Sequence, residues 1–184
     1  MIYENTKNHN NMKKSMLLLV ASFWVVSNVF AINVAFDFKS IQATSGTTGS
    51  LSWSTGKTGN ASNTACNATN GLVLYGVSGG GGYFNTTSPT SSSITQIVVV
   101  STAKKNTPKY TIYGSSDGST WTSIESGITA GTKTITLSGN YTYIKIANTT
   151  NATAQLAITS ITITFGSTET TVKRQCFNGS LHGL

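Results

Sequence analysis

Residues 110–124, YTIYGSSDGSTWTSI, constrain the fold of this chain more than any other segment. They read as strand, tight turn, strand. Asp117-Gly118 marks the turn, because glycine supplies the positive φ that hairpin turns require. Alternate side chains of a pleated strand share a face. Tyr110 and Ile112 therefore fall on one side of the first strand, and Trp121 and Ser123 share a side of the second.

The rest of the chain repeats the pattern of short strands separated by turn signals. Strands are predicted over 32–38, 71–76, 94–101, 109–115, 120–124, 133–138, 141–147 and 155–165, with weaker ones near 50–54 and 83–86. No segment shows convincing helical periodicity, so the pattern predicts an all-β chain, an antiparallel β-sandwich or jelly roll. The run ITQIVVV, 94–100, is apolar on both faces near its end, as a central strand would be. In KTITLS, Ile135 and Leu137 share a face. In YTYIKIAN, Ile144 and Ile146 point one way while Tyr143 and Lys145 point the other. The last strand changes parity: Leu156 and Ile158 are even, whereas Ile161, Ile163 and Phe165 are odd. A strand that keeps one face buried must absorb that shift with a bulge near Thr159-Ser160.

The hairpin spells Y-x-I-x-x-S-x-D-G-x-x-W, carried by Tyr110, Ile112, Ser115, Asp117, Gly118 and Trp121. It resembles the hairpin of discoidin-like and related galactose-binding-like modules of secreted bacterial proteins, and the final YIKI…ITSITITF strands are similar to theirs. The resemblance covers roughly 33–166. It implies a jelly-roll β-sandwich that holds ligands at its loop ends and usually performs no chemistry. It also implies that Trp121 packs in the core. The front half departs from the family. Discoidin modules carry an early D-G-x-x-x-T-x-W loop, and the corresponding stretch here, 52–76, has no acidic residue. The family's ligand-binding residues therefore do not transfer.

Length and composition fit one domain with appendages. Only 9% of the 184 residues are charged, and Ser, Thr, Asn and Gly fill surface positions, as in extracellular β proteins. Lys13-Lys14 followed by the apolar run MLLLVASFWVV, 16–26, reads as a signal peptide with Val29, Phe30 and Ala31 ahead of the cleavage point. The run falls short of the roughly 20 residues that a membrane span needs. We expect a leader over 1–31 with its true start at Met12, a β-sandwich binding module over 32–166, and an irregular tail over 167–184. The mature product is then secreted, with no membrane attachment.

The net charge of +7 is spread thinly. Lys7, Lys13, Lys14, Lys173 and Arg174 lie in the appendages, and the remaining lysines form no dense stripe, so no nucleic-acid partner is expected. Cys66 and Cys176 either pair or remain free thiols. No CxxC and no nearby histidine supports a metal site, and no cofactor is expected. The sequence leaves oligomeric state open.

Catalysis is not expected. Between 32 and 166 there is no histidine or arginine, and the carboxylates are Asp37, Asp117 and Glu125. Asp117 belongs to the turn, which leaves no motif for a glycosidase pair, and a serine nucleophile has no base. The glycine run 79–82 lacks the Lys-Ser/Thr and the helix of a phosphate loop, and reads as a flexible connection. The Asn-x-Ser/Thr sequons, Asn60, Asn67, Asn85, Asn140, Asn148, Asn151 and Asn178, follow from an Asn- and Thr-rich composition. Aromatic faces are what remains for recognition, since sugars stack on them. Trp53 and Tyr83, beside Gly/Ser/Thr-rich loops, are the expected stacking residues. Asn85 is the expected hydrogen-bonding partner, with Lys57 a rim donor or simply solvated. The expected function is non-catalytic carbohydrate binding; the alternative is a structural or adhesion spacer cut from a larger secreted protein.

Overall fold

Alternation of apolar and polar side chains is the rule from the first strand onward. Val34, Phe36 and Phe38 are buried while Ala35, Asp37 and Lys39 between and after them are exposed. The computed structural model describes residues 27–170. The basic pair and apolar run of the expected leader, Cys176, and the tail beyond 170 lie outside these described residues.

In chain order the elements are β1 (Ser27–Asp37), α1 (Phe38–Ile41), β2 (Ser45–Thr48), β3 (Leu51–Lys57), β4 (Ala65–Asn67), β5 (Gly71–Val77), β6 (Gly80–Thr86), β7 (Ile94–Lys105), β8 (Lys109–Ser115), β9 (Thr122–Thr129), β10 (Thr132–Thr136), β11 (Tyr143–Asn148) and β12 (Ala154–Thr170). The helix is a single turn, capped by Asp37, whose carboxylate accepts from the Lys39 amide at 3.1 Å and the Ser40 hydroxyl at 2.6 Å. Every other described element is a strand. The chain is all-β, and its ladders are antiparallel.

The main strand order is β10-β7-β12-β5-β6-β11-β8-β9, with β2 and β3 continuing from β6, β4 beside β5 and β1 beside β12. The sheet curls at the β5–β6 hairpin. That hairpin is held by only two residue pairs, Gly76↔Gly81 and Val77↔Gly80, before its strands diverge to separate partners. Glycine is obligatory there. A Cβ on Gly81 would run into the Asn148 carbonyl oxygen, and one on Gly80 into that of Thr58. Residues 80–82 are therefore a tightly packed corner rather than the flexible connection expected, because three backbones meet there, while Gly79 at the turn is open.

Inward side chains from both limbs of the curl form one core. Phe36, Phe38, Trp53 and Phe84 make an aromatic cluster with ring centroids 5.4–6.2 Å apart. Leu74, Ile112, Ile144, Ile146, Leu156 and Ile163 are fully buried around it. The parity change of the last strand is absorbed as expected. The β12–β7 register passes from Ile158↔Ser101 to Ser160↔Val100, leaving Thr159 as the extra residue. Its hydroxyl donates to the Val100 carbonyl at 3.1 Å. Residues 156 and 158 before the bulge and 161, 163 and 165 after it all face inward.

Several element ends differ from the sequence expectation. Strands β1 and β12 pair with each other and run past the expected 32–166 limits, to Ser27 and Thr170. A ladder stops where backbone pairing stops, not where apolar alternation does, so 167–170 are strand rather than irregular tail. Strand β9 starts at Thr122, not Thr120, because the Asp117 turn is wider than a two-residue hairpin and the ladder begins at Gly114↔Thr122. The short β2 and β4 were not anticipated.

The Asp117 turn is organised by hydrogen bonds. One carboxylate oxygen accepts from the Ser119 amide at 2.8 Å, the Thr120 amide at 2.7 Å and the Ser115 hydroxyl at 2.9 Å, while Gly118 takes φ +75°. Amide donors favour the ionised carboxylate and hold its pKa well below the ordinary range. The unfolded chain therefore takes up this proton first, as pH falls through about 4, and folding loses support below that point. Asp117→Asn is expected to flatten the fall in melting temperature between pH 5 and pH 2 relative to the parent. Parallel curves would contradict the assignment.

Candidate functional site

The outer face of the sheet, turned away from the core, carries the site. On β11, Ile144, Ile146 and Asn148 point inward, so Tyr143, Lys145 and Ala147 must point out. Register then decides the neighbours. Lys145 lies opposite Asn85 of β6 on one side and Tyr113 of β8 on the other, and Tyr83 lies opposite Ala147. Tyr113 in turn faces Ser123 of β9, which shares its side with Trp121. Four chain segments thus deliver one cluster.

The Lys145 ammonium sits 5.5 Å from the Tyr83 ring centroid, 5.0 Å from that of Tyr113 and 5.0 Å from that of Trp121. All four side chains are half-buried. Rings at that distance attract a cation through their negative faces, by about 0.5–2 kcal/mol depending on desolvation. Partial burial disfavours the charged form and pushes the lysine pKa down. Gly56 lies opposite Tyr83, and a Cβ there would strike the tyrosine ring. Its absence lets the ring lie across β3.

Beside the cluster opens a groove of about 470 Å³ lined by Tyr83, Tyr113, Lys145, Thr58, the glycines of the β5–β6 corner and the 148–151 loop. Its frame is tied together. The Gly79 amide donates to the Asn151 side chain at 3.1 Å, Gly81 and Thr58 exchange backbone and hydroxyl bonds, and the Asn148 amide group donates to the Leu74 carbonyl at 2.9 Å. The volume lies within the roughly 300–1,000 Å³ usual for small-ligand sites.

Of the expected site residues, the structure brings Tyr83 into the groove and places Asn85 on the same face, outside the groove lining. The Asn85 amide accepts from the Ser54 hydroxyl at 3.3 Å and donates to the Thr86 carbonyl at 3.1 Å. Trp53 is a correction. It is 2% exposed on the opposite face of the sheet, packed edge-on to Phe36 and Phe38, with its indole N–H donated to Thr48 at 3.2 Å. No ligand ring reaches it. Its placement follows from Leu51 and Trp53 being the inward positions of β3. Trp121, expected in the core, is half-buried on the outer face instead. Lys57 is exposed and outside the groove lining. Tyr113 was one of several aromatic candidates but was not among the residues chosen for the site, and Lys145 was not considered for it, although the alternation of YIKI had put Lys145 opposite to buried isoleucines.

The carboxylates between 32 and 166 are occupied elsewhere. Asp37 caps α1, Asp117 organises its turn, and Glu125 pairs with Lys133 at 2.5 Å. Among the described residues no group of three His, Cys, Asp or Glu side chains converges, and no helix is long and apolar enough to cross a membrane. The half-buried Cys66 thiol donates to the Phe38 carbonyl at 3.2 Å, and burial pushes its pKa up. Comparison with family models, with curated proteins and with solved structures returned no match.

Proposed function

We propose that this chain is a secreted, non-catalytic binding module of the galactose-binding-like jelly-roll kind, and that its outer sheet face takes carbohydrate. The observation that carries the reading is the convergence of Tyr83, Tyr113 and Trp121 beside a groove of about 470 Å³. Three half-exposed aromatic rings on the face turned away from the core offer a sugar a stacking platform. Amide and hydroxyl groups at the rim supply partners for ring hydroxyls, with Asn85 the nearest side-chain amide along β6. The sparse carboxylates, of which Asp37, Asp117 and Glu125 are already engaged, favour binding over hydrolysis. The basic pair and apolar run ahead of residue 27, together with the low charge of the chain, favour secretion.

A glycan array probed with the purified chain tests this reading. Retention of a defined glycan class is expected. In affinity electrophoresis against that glycan, Tyr83→Ala and Tyr113→Ala should each weaken binding by about 1 kcal/mol, roughly fivefold in Kd, with circular dichroism unchanged. Silence across plant, host and microbial glycans would favour a structural spacer instead.

A further inference from the structure

We propose that the saccharide taken by this groove is acidic, with its carboxylate or sulfate group seated on Lys145 and its ring against Tyr83 and Tyr113. This inference rests on the carbohydrate reading and narrows its ligand class. Lys145 is the charged side chain of the groove lining, whose other members are neutral rings, hydroxyls, amides, two small aliphatic side chains and glycine backbone. It has no carboxylate partner among the described residues. The ion pair found there joins Lys133 to Glu125, and Asp37 and Asp117 are held by their own local donors.

A partly desolvated cation without a counter-charge is held only by ring faces, which attract it far less strongly than an anion does. The lowered Lys145 pKa has the same origin, loss of water without a compensating negative group. An anionic substituent entering the groove would supply that group. The rings on either side would then flank the sugar that carries it. A neutral sugar makes the stacking contacts but leaves the ammonium uncompensated. The groove therefore discriminates by charge.

The test uses the purified full-length chain and matched ligands: polygalacturonate against its methyl ester, and chondroitin sulfate against its desulfated form, each at low and at high salt. The parent is expected to bind at least one acidic member about tenfold or more tightly than its matched control, with the preference shrinking as salt rises. Lys145→Gln should erase the preference while keeping the weaker binding to the control, and Lys145→Arg should restore it. Equal binding to both members of each pair, or a preference that survives Lys145→Gln, would overturn the charge assignment and leave the carbohydrate reading standing. Binding to no member, together with silence on the glycan array, would overturn both.

Discussion

Replacing Trp53 by alanine is expected to lower folding stability by about 3–5 kcal/mol, a loss that depends on removing a large ring from a packed interior. Trp53 is 2% exposed and touches Phe36, Phe38 and Phe84, with centroid distances of 5.5–6.2 Å. These neighbours belong to two different strands and the helical turn, so no single side chain can relax into the space. Deleting the ring also leaves the Thr48 hydroxyl without its indole partner. Small domains rest on about 5–15 kcal/mol in total, so about a fifth or more of the stability goes with this residue. Denaturant melts followed by circular dichroism measure the effect. A shift below about 1 kcal/mol would mean that the ring is not in the core.

Gly71→Ala is expected to cost about 2–5 kcal/mol, for two separable reasons. Gly71 holds φ +72°, a left-handed conformation that disfavours any Cβ by about 1–2 kcal/mol. A Cβ there would also meet the Ile158 carbonyl oxygen and lie 3.1 Å from the Thr159 Cα. Those are backbone atoms of the β12 bulge, which cannot swing aside like a side chain. The glycine and the bulge are thus one device: the strand changes parity at Thr159, and β5 supplies a residue without a side chain where the backbone protrudes. Gly79→Ala makes a control, since Gly79 has a similar φ of +73° but open space around its Cβ position. It should show the conformational cost without the collision. Equal losses in the two variants would remove the bulge from the explanation.

Most of the strands were legible because their evidence is local. Val34 and Phe36 in β1, Tyr110 and Ile112 in β8, and Ile144 and Ile146 in β11 each show period two within a few residues, and all are buried. The bulge was legible for the same reason, as a parity change within one strand. Strands β2 and β4 escaped notice because SGTT and ACN bury no side chain fully, so pairing rather than burial defines them. Strand β9 extends further than its alternation suggested, since at the edge of the sheet only Ile128 is buried.

The site was less legible than the fold. Tyr83 could be picked out by its place next to the glycine run. Trp53 misled because Ser, Thr and Gly around it resemble a loop by composition, while the spacing of Leu51 and Trp53 marks an inward pair. The convergence of Lys145, Tyr113 and Trp121 depends on β11 lying between β6 and β8, a register between segments far apart in sequence. Alternation says which face a residue takes, but not which strand lies beside it.

Ligand is expected to bind the outer face around Lys145 and not the core side that holds Trp53. A titration of the isotope-labelled chain with the glycan selected on the array, followed by two-dimensional NMR, tests this most directly. Shifts are expected in the Trp121 indole N–H and in the amides of Tyr83, Tyr113 and Lys145, with the Trp53 indole signal unmoved. Shifts centred on Trp53, or spread elsewhere with the Trp121 signal unchanged, would contradict it.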